Sequence, residues 1–239
     1  MDTITNFHSK NNPSDDVYES FNKFIFSNDI KLLGKLLHRY KFFNMVADLP
    51  GDIVEIGVFK GSGIATFQKI IEIFYPNSMK KVIGFDIFDT NNAMDILLTR
   101  DSMMDKSSMT KVYNRVDDQD LTLSFVSKRL DDMKLSNKAI LIEGDVSDTL
   151  PKFLSENPGF RASIIYIDVD IERPTYLSLK YLWDRLLPGG IIVLDEYEYH
   201  VFSESNGVDK FLKEMNLPYN VKSTQFIAPS AFIIKSQHS

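Results

Sequence analysis

The amino-acid sequence predicts an α/β fold built on a doubly wound, mostly parallel sheet of seven strands. Short apolar segments rich in Val and Ile alternate with amphipathic helical segments five times along the chain, which is typical of a parallel sheet with helices on both faces. About 30 residues separate the starts of the first two predicted strands, which is the length of a βαβ unit. A last pair of apolar segments around a Pro-Ser turn predicts a closing antiparallel hairpin. Together these patterns indicate a Rossmann-like fold.

The first 47 residues are predicted to precede the sheet. Residues 1–15 are polar, and apolar residues recur at helical spacing over residues 17–46. Ser27-Asn28-Asp29 offers N-cap residues that divide this stretch into two helices. We expect residues 1–47 to form a tail and a helical segment that acts as a lid or a dimer contact, and residues 48–239 to form the main domain.

The strands and helices of the main domain are predicted from apolar periodicity. Strands are short β-branched runs between turn residues, and helices carry apolar residues at spacings of three and four. The predicted strands cover residues 53–56, 81–86, 138–143, 162–168, 191–195, 224–227 and 231–234. The predicted connecting helices cover residues 62–75, 121–135, 149–154, 174–187 and 207–215.

Turn residues support these boundaries in chain order. Leu49-Pro50-Gly51 turns the chain into the first strand, and Pro76 ends the helix after it. Pro174 suits the first turn of a helix, and Pro188-Gly189-Gly190 precedes the fifth strand. Residues 87–118 carry only a broken helical signal. Because long connections at the ligand edge of a sheet are often functional, we expect a flexible flap there.

Composition narrows the functional classes. The chain has 239 residues and a net charge of −6, which argues against general binding to nucleic acids or anionic membranes. It has no cysteine, which excludes disulfides and thiolate chemistry. No apolar run approaches the roughly 18 residues of a membrane span, and the N-terminus has no apolar signal region. We expect a cytoplasmic protein with no membrane span and no nucleic-acid partner.

Acidic residues stand at or near the end of each predicted parallel strand. They are Glu55, Asp86, Asp145, Asp168, Asp170, Asp195 and Glu196. Because the carboxyl ends of parallel strands share one edge, these side chains are expected to converge. Converging carboxylates repel each other and require hydroxyl donors or cations. A nucleotide-like ligand or a divalent metal would supply them.

The glycine loop after the first strand indicates which nucleotide-like ligand binds. Its sequence, G-V-F-K-G-S-G over residues 57–63, matches neither a phosphate-binding P-loop nor the dinucleotide pattern. A nicotinamide-dependent oxidoreductase is therefore disfavoured. A loop beside Glu55 suits a cationic or zwitterionic nucleoside such as S-adenosylmethionine. Asp86 would then hold the ribose hydroxyls, and Asp145 would face the adenine amine.

Five segments, in order and spacing, resemble the macrocin O-methyltransferase family. They are LPGDIVEIGVFKG (49–61), FDIFDT (85–90), GDVSDTLP (144–151), YIDVDIERPT (166–175) and LLPGGIIVLDEYEY (186–199). The resemblance implies a class I, S-adenosylmethionine-dependent enzyme that methylates a hydroxyl of a sugar, whether free, nucleotide-linked or part of a glycan or natural product. It also implies a Mg²⁺ ion held after the fourth and fifth strands.

The resemblance assigns site residues by position. The cofactor site would comprise Glu55, Gly57, Phe59, Gly61, Ser62, Asp86, Gly144, Asp145, Val146 and Asp168. The metal ligands would be Asp168, Asp195 and Glu196, although the family pattern usually has Asp where Glu196 stands. Asp168 would serve as ligand and base, and His200 is the competing base because its ordinary pKa suits proton transfer near neutral pH.

Two alternatives stay open at this stage. The family pattern D-G-D-x-Y-E-S-T reads D-V-D-I-E-R-P-T over residues 168–175, so the acceptor contacts are less constrained than the cofactor contacts. A methyltransferase for a non-sugar small molecule, such as a catechol-like diol, would use the same chemistry. A non-catalytic cofactor-binding or structural partner is the second alternative. The apolar N-terminal helices also make a homodimer an expected assembly.

Overall fold

The computed structural model describes residues 13–218 and 220–236. Their strands are β1 (Asp52–Ile56), β2 (Val82–Asp86), β3 (Ala139–Glu143), β4 (Ala162–Ile167), β5 (Leu186–Leu194), β6 (Lys222–Ser223) and β7 (Ala231–Ile234). They form a seven-stranded sheet in the order β3-β2-β1-β4-β5-β7-β6. β7 pairs antiparallel with β5 and β6, and the other neighbours are parallel. The predicted fold class is confirmed.

Nine α-helices lie in the described part of the chain. They are α1 (Pro13–Ile25), α2 (Ile30–Met45), α3 (Ser62–Phe74), α4 (Thr90–Arg100), α5 (Met103–Tyr113), α6 (Leu123–Asp132), α7 (Val146–Glu156), α8 (Glu172–Leu182) and α9 (Glu204–Glu214). Across the described residues, no helix combines the length and the apolar character that crossing a membrane requires. The polar tail predicted at residues 1–15 falls almost wholly outside the described residues.

Apolar side chains of the central strands pack on both faces of the sheet, as their nearly continuous apolar sequences predict. On one face, Ile53 of β1 belongs to a core that includes residues of α2, α3 and α6. On the other face, Val54 belongs to a core with residues of α7, α8 and α9. Phe42 and Phe43 of α2 are buried in the first core, so the C-terminal half of α2 is fixed to the sheet. The predicted division at residue 47 stays a prediction.

The order of the strands places a ligand site between β1 and β4. The chain continues from β1 to β2 and β3 on one side, and then crosses to β4 and β5 on the other. The backbone N–H of Asp168 donates to the carbonyl of Ile56 at 2.8 Å, and that of Asp195 donates to Ile167 at 3.1 Å. Because these bonds keep the strand ends aligned, the acids that follow β4 and β5 lie beside the end of β1, where open α/β sheets bind ligands.

Residues 87–118 contain α4 and α5 instead of an irregular connection. Asp89 caps α4 by accepting the N–H of Asn92 at 3.0 Å, and Ser102 caps α5 by accepting the N–H of Asp105 at 3.1 Å. Such caps satisfy free backbone N–H groups and help a weakly periodic sequence to form short helices. The flexibility of this segment stays a prediction.

The closing hairpin also differs from the predicted one. β6 is only two residues long and ends before the predicted strand at residues 224–227. The hydroxyl of Thr224 donates to the carbonyls of Phe226 and Ser230, so this stretch forms a turn. The turn brings Phe226 against α2, where the ring of His38 stacks on it with the centroids 5.1 Å apart.

Gly34 allows this contact, and its substitution is expected to loosen α2. A Cβ atom at residue 34 would overlap the ring of Phe226, whereas a Cβ atom at Gly159 would meet nothing within 4 Å. Overpacking of this kind costs about 1–3 kcal/mol, so we expect Gly34→Ala to lower the melting temperature by roughly 2–8 °C, even though Ala favours helices. Differential scanning calorimetry of Gly34→Ala and the control Gly159→Ala measures the effect. A Gly34→Ala protein as stable as the control would show that Phe226 does not hold α2.

Candidate active site

A cavity of about 870 Å³ opens at the carboxyl ends of β1 and β4. Most of the predicted site residues line it: Glu55, Gly57, Phe59, Ser62, Asp86, Gly144, Asp145, Val146, Asp168 and Glu196. Three do not. Gly61 is the N-cap of α3, Asp195 is fully buried, and His200 is exposed in a turn after β5. The strand-end acids other than Asp195 therefore share one cavity, whereas His200 is not brought to it.

The glycine loop after β1 is held by Asp86. Oδ2 of Asp86 accepts the backbone N–H groups of Val58 at 2.7 Å and Phe59 at 2.8 Å, and Oδ1 accepts that of Phe88 at 3.1 Å. Burial raises the pKa of Asp86, and these N–H groups partly oppose that rise. Gly57 has φ +90°, and a Cβ there would overlap the carbonyl oxygen of Asp168. The loop therefore requires glycine at residue 57, and Asp86 fixes its backbone.

Glu55 carries an acceptor without a partner. Its side chain is buried, and Oε1 accepts a hydrogen bond from Nη2 of Arg39 at 2.9 Å. Oε2 is buried too, but the described residues offer it no hydrogen-bond donor. Burial raises the pKa of Glu55, although Arg39 opposes the shift. An unpaired carboxylate oxygen on the wall of a cavity is suited to a cationic ligand group.

Asp145, which follows β3, is paired with two arginines. Oδ2 of Asp145 lies 2.7 Å from Nη2 of Arg173 and 3.1 Å from Nη1 of Arg100. Nε of Arg173 also donates to Asp101 at 3.0 Å. Burial acts to raise the pKa of Asp145, but hydrogen bonds from Arg173 and Ser147 outweigh burial and hold the pKa below its ordinary value. Asp145 therefore already has two guanidinium partners in this structure.

Asp168 and Asp195 share a lysine. Nζ of Lys35 on α2 lies 3.2 Å from Oδ2 of Asp168 and 2.7 Å from Oδ2 of Asp195. The hydroxyl of Tyr166 donates to Oδ1 of Asp195 at 2.7 Å. Burial, together with Asp195, raises the pKa of Asp168 well above its ordinary value, and Lys35 opposes the shift. Lys35 therefore provides the counter-charge for two carboxylates that would otherwise repel.

Further acids surround this group. Glu196 pairs with Lys31 of α2 at 3.3 Å, and burial together with Glu196 and Asp195 raises the pKa of Asp170 to about 7. Glu204 of α9 is fully buried and accepts the N–H of Glu196 at 3.1 Å. Burial and the neighbouring aspartates raise the pKa of Glu204 well above its ordinary value. Glu204 thus adds to this group an acid that was not predicted from the sequence.

A sequence model of the macrocin O-methyltransferase family matches residues 39–228. The chain belongs to this family. The match includes the glycine loop and the acids that follow β2, β3, β4 and β5. Lys31 and Lys35 lie before the matched residues.

Two curated relatives match the chain at low sequence identity. The chain is 26% identical over 163 residues to a Streptomyces olivaceus 8-demethyl-8-(2,3-dimethoxy-α-L-rhamnosyl)-tetracenomycin-C 4′-O-methyltransferase, with 66% of this chain and 58% of the relative covered. It is 24% identical over 176 residues to the mycinamicin III 3″-O-methyltransferase of Micromonospora griseorubida, with 70% of this chain and 66% of the relative covered. The chain thus matches less than two thirds of the length of either curated relative.

Two solved structures support the fold assignment. The TDP-rhamnose 3′-O-methyltransferase CalS11 superposes with a TM-score of 0.67 at 21% identity, covering 93% of this chain and 86% of that one. The O-methyltransferase NovP superposes with a TM-score of 0.68 at 16% identity, covering 84% and 79%. At these identities the likeness concerns the fold.

Three cationic residues of the site were not predicted from the sequence. Lys31, Lys35 and Arg39 follow each other at intervals of four on α2, so they share one helix face. Each meets an acid of the cavity. The spacing is visible in the sequence, but nothing in it shows which residues that face contacts. Glu204 carries no sequence signal that separates it from a surface glutamate.

The predicted metal ligands do not fit Mg²⁺ in this arrangement. Mg²⁺ binds oxygen ligands octahedrally at about 2.0–2.1 Å, whereas Asp168 and Asp195 each direct Oδ2 at the Lys35 ammonium group. Within residues 13–218 and 220–236, no group of three or more His, Asp or Glu side chains is placed to hold a metal ion. The Mg²⁺ site stays a prediction, and the arrangement of these residues does not support it.

Proposed function

We propose that this protein is an S-adenosylmethionine-dependent O-methyltransferase that methylates a hydroxyl group of a sugar, free, nucleotide-linked or within a larger natural product or glycan. One observation carries the proposal: the unpaired oxygen of Glu55 and the carboxylate of Asp168 belong to side chains that line the same cavity. The first suits the cationic end of the cofactor, and the second suits a hydroxyl that must lose its proton. Family membership and the named activities of the curated relatives, which act on sugar hydroxyls, support the same reaction.

The residues of the cavity fit S-adenosylmethionine. Glu55 would hold the amino group of its methionine part, and Asp86 would accept a ribose hydroxyl. Gly57 and Gly144 have φ values of +90° and +127°, so the backbone can approach the cofactor without side chains in the way. When bound, the cofactor supplies the methyl group that is transferred to the acceptor oxygen.

The protein's own contribution is to position the acceptor and to accept its proton. Methyl transfer to oxygen requires the hydroxyl to be aligned with the reacting carbon and to lose its proton as the new bond forms. Asp168 is the base in this proposal because it lines the cavity, where a hydrogen bond from Lys35 to Oδ2 positions its carboxylate. His200, the alternative base, is exposed and outside the cavity lining. No metal ion takes part in the proposed step.

Binding of S-adenosylhomocysteine, the product form of the cofactor, tests the proposal. We expect wild-type protein to bind it and not NAD in calorimetric titrations. Glu55→Gln should weaken binding by about 10–100-fold, since a hydrogen bond to a charged group contributes about 1.5–3 kcal/mol. Glu143→Gln is the matched control, because Glu143 is an exposed glutamate at the end of β3 outside the cavity lining. No binding by the wild type would contradict the proposal, and NAD binding alone would favour an oxidoreductase.

The two alternative functions predicted from the sequence are distinguished by further measurements. A non-sugar acceptor would leave S-adenosylhomocysteine binding unchanged, and an acceptor screen separates it from a sugar. A non-catalytic partner would show no methyl transfer with any acceptor. The homodimer stays a prediction, and α1 leaves apolar side chains such as Phe21 and Ile25 exposed.

A further inference from the structure

The acids that follow β4 and β5 would repel each other without positive charge nearby, and helix α2 supplies that charge. Asp168, Asp170, Asp195 and Glu196 lie together, and each unbalanced pair of carboxylates would destabilise the fold. Lys35 bridges Asp168 and Asp195. Asp168 and Asp195 are also two of the three predicted Mg²⁺ ligands, so Lys35 stands where that ion would bind.

Lys35 is fixed in this position by the docking of its helix. Asp29 caps the N-terminus of α2 by accepting the N–H of Lys31 at 2.9 Å. Gly34 lies directly against the ring of Phe226, and Phe42 is fully buried in the core. The ammonium group therefore reaches the carboxylates from a helix that packs on the rest of the protein at Gly34 and Phe42, unlike a lysine on a free loop.

Each oxygen of Asp195 faces a group of the protein itself. Oδ1 accepts the hydroxyl of Tyr166, Oδ2 is paired with Lys35, and the side chain is fully buried. Burial acts to lower the pKa of Lys35, but Asp168 and Asp195 outweigh burial and raise it above the ordinary value. Two carboxylate oxygens at 3.2 and 2.7 Å favour the ammonium form of Lys35, so Lys35 is not placed to act as the base.

We infer that the ammonium group of Lys35 supplies, beside Asp168 and Asp195, the positive charge that a divalent cation would otherwise supply for the acceptor. The protein therefore needs no metal ion at this position. The inference rests on the proposed methyltransferase function. Lys35 holds the carboxylate of Asp168 in place through their contact at 3.2 Å, and Asp168 accepts the acceptor's proton. The ammonium group also stabilises negative charge that develops on the acceptor oxygen as its proton leaves.

Binding of Mn²⁺, measured by electron paramagnetic resonance on the full chain in saturating S-adenosylhomocysteine, tests this inference. We expect Lys35→Ala to bind Mn²⁺ at least about tenfold more tightly than wild type, because Asp168 and Asp195 then face each other without a counter-charge. Mg²⁺ should compete for that ion and should raise the melting temperature of the variant but not of the wild type. Lys138→Ala is the control, since Lys138 pairs with Glu72 at 3.1 Å away from the cavity.

The outcomes separate this inference from the proposed function. Binding of Mn²⁺ by wild-type protein as tight as by Lys35→Ala would overturn the inference, as would a folded Lys35→Ala protein that gains no Mn²⁺ binding. Failure to bind S-adenosylhomocysteine would overturn the proposed function instead. If Lys35→Ala does not fold, Lys35→Gln keeps the length of the side chain without its charge, and the wild-type titration decides by itself.

Discussion

Replacing Asp168 by Asn is expected to reduce the rate of methyl transfer by about 10²–10⁴-fold, the usual contribution of a positioned general base. Asn has nearly the same shape, and its amide oxygen can still accept a hydrogen bond from Lys35. Lys35 also keeps Asp195 as a charged partner at 2.7 Å, so the cluster keeps a counter-charge. The backbone N–H of Asp168, which donates to Ile56, is unaffected. The fold and the binding of S-adenosylhomocysteine should therefore be retained.

Labelled S-adenosylmethionine and a panel of nucleotide-linked sugars provide the assay, with each variant compared on the acceptor that the wild type methylates fastest. Asp52→Asn is the matched control because Asp52 lies at the start of β1, at the opposite edge of the sheet, where it accepts the N–H of Lys81 at 2.8 Å. His200→Gln tests the competing base. An active Asp168→Asn protein would exclude Asp168 as the base, and an inactive His200→Gln protein that still binds S-adenosylhomocysteine would move that role to His200.

The position of the acids could be predicted from the sequence because it depends on local features. A β-branched run followed by an acid, as at Asp86 or Asp168, places that acid at the end of a strand, and parallel strands bring their ends to one edge. No knowledge of long-range packing is needed for that step. The convergence of these acids on one cavity follows from the fold class.

The partners of those acids could not be predicted, because they depend on contacts between distant parts of the chain. Lys35 and Asp168 are 133 residues apart, and Arg173 meets Asp145 across 28 residues. A helix face with cations at intervals of four usually faces solvent, so the spacing of Lys31, Lys35 and Arg39 gave no evidence of burial. The helices at residues 87–118 are a different case, since their caps were present in the sequence but the apolar periodicity that guided the prediction was weak.

Replacing Arg39 by Met is expected to lower the free energy of unfolding by about 3–5 kcal/mol, because it leaves Glu55 buried and without a charged partner. Arg39 and Glu55 are only 6% and 1% exposed, so water cannot replace the lost contact. The guanidinium carbon also lies 4.5 Å from the centroid of Tyr166. Denaturant titration measures the loss. Lys41→Met removes an exposed cation from the same helix and should change stability by no more than about 0.5 kcal/mol.

The pH dependence of the Arg39→Met effect identifies its cause. Burial already raises the pKa of Glu55 above its unfolded value, and loss of Arg39 should raise it further. A carboxyl whose folded pKa is raised binds more protons in the folded state, so its contribution to stability is present at low pH and is lost as pH rises. The difference between wild type and Arg39→Met should therefore be smaller at pH 5 than at pH 8. Adding Glu55→Leu should restore much of the lost stability, because an apolar pair can replace a buried ion pair. An equal loss at both pH values, with no recovery in the double variant, would mean that Arg39 stabilises the protein through its packing on Tyr166 and not through its charge.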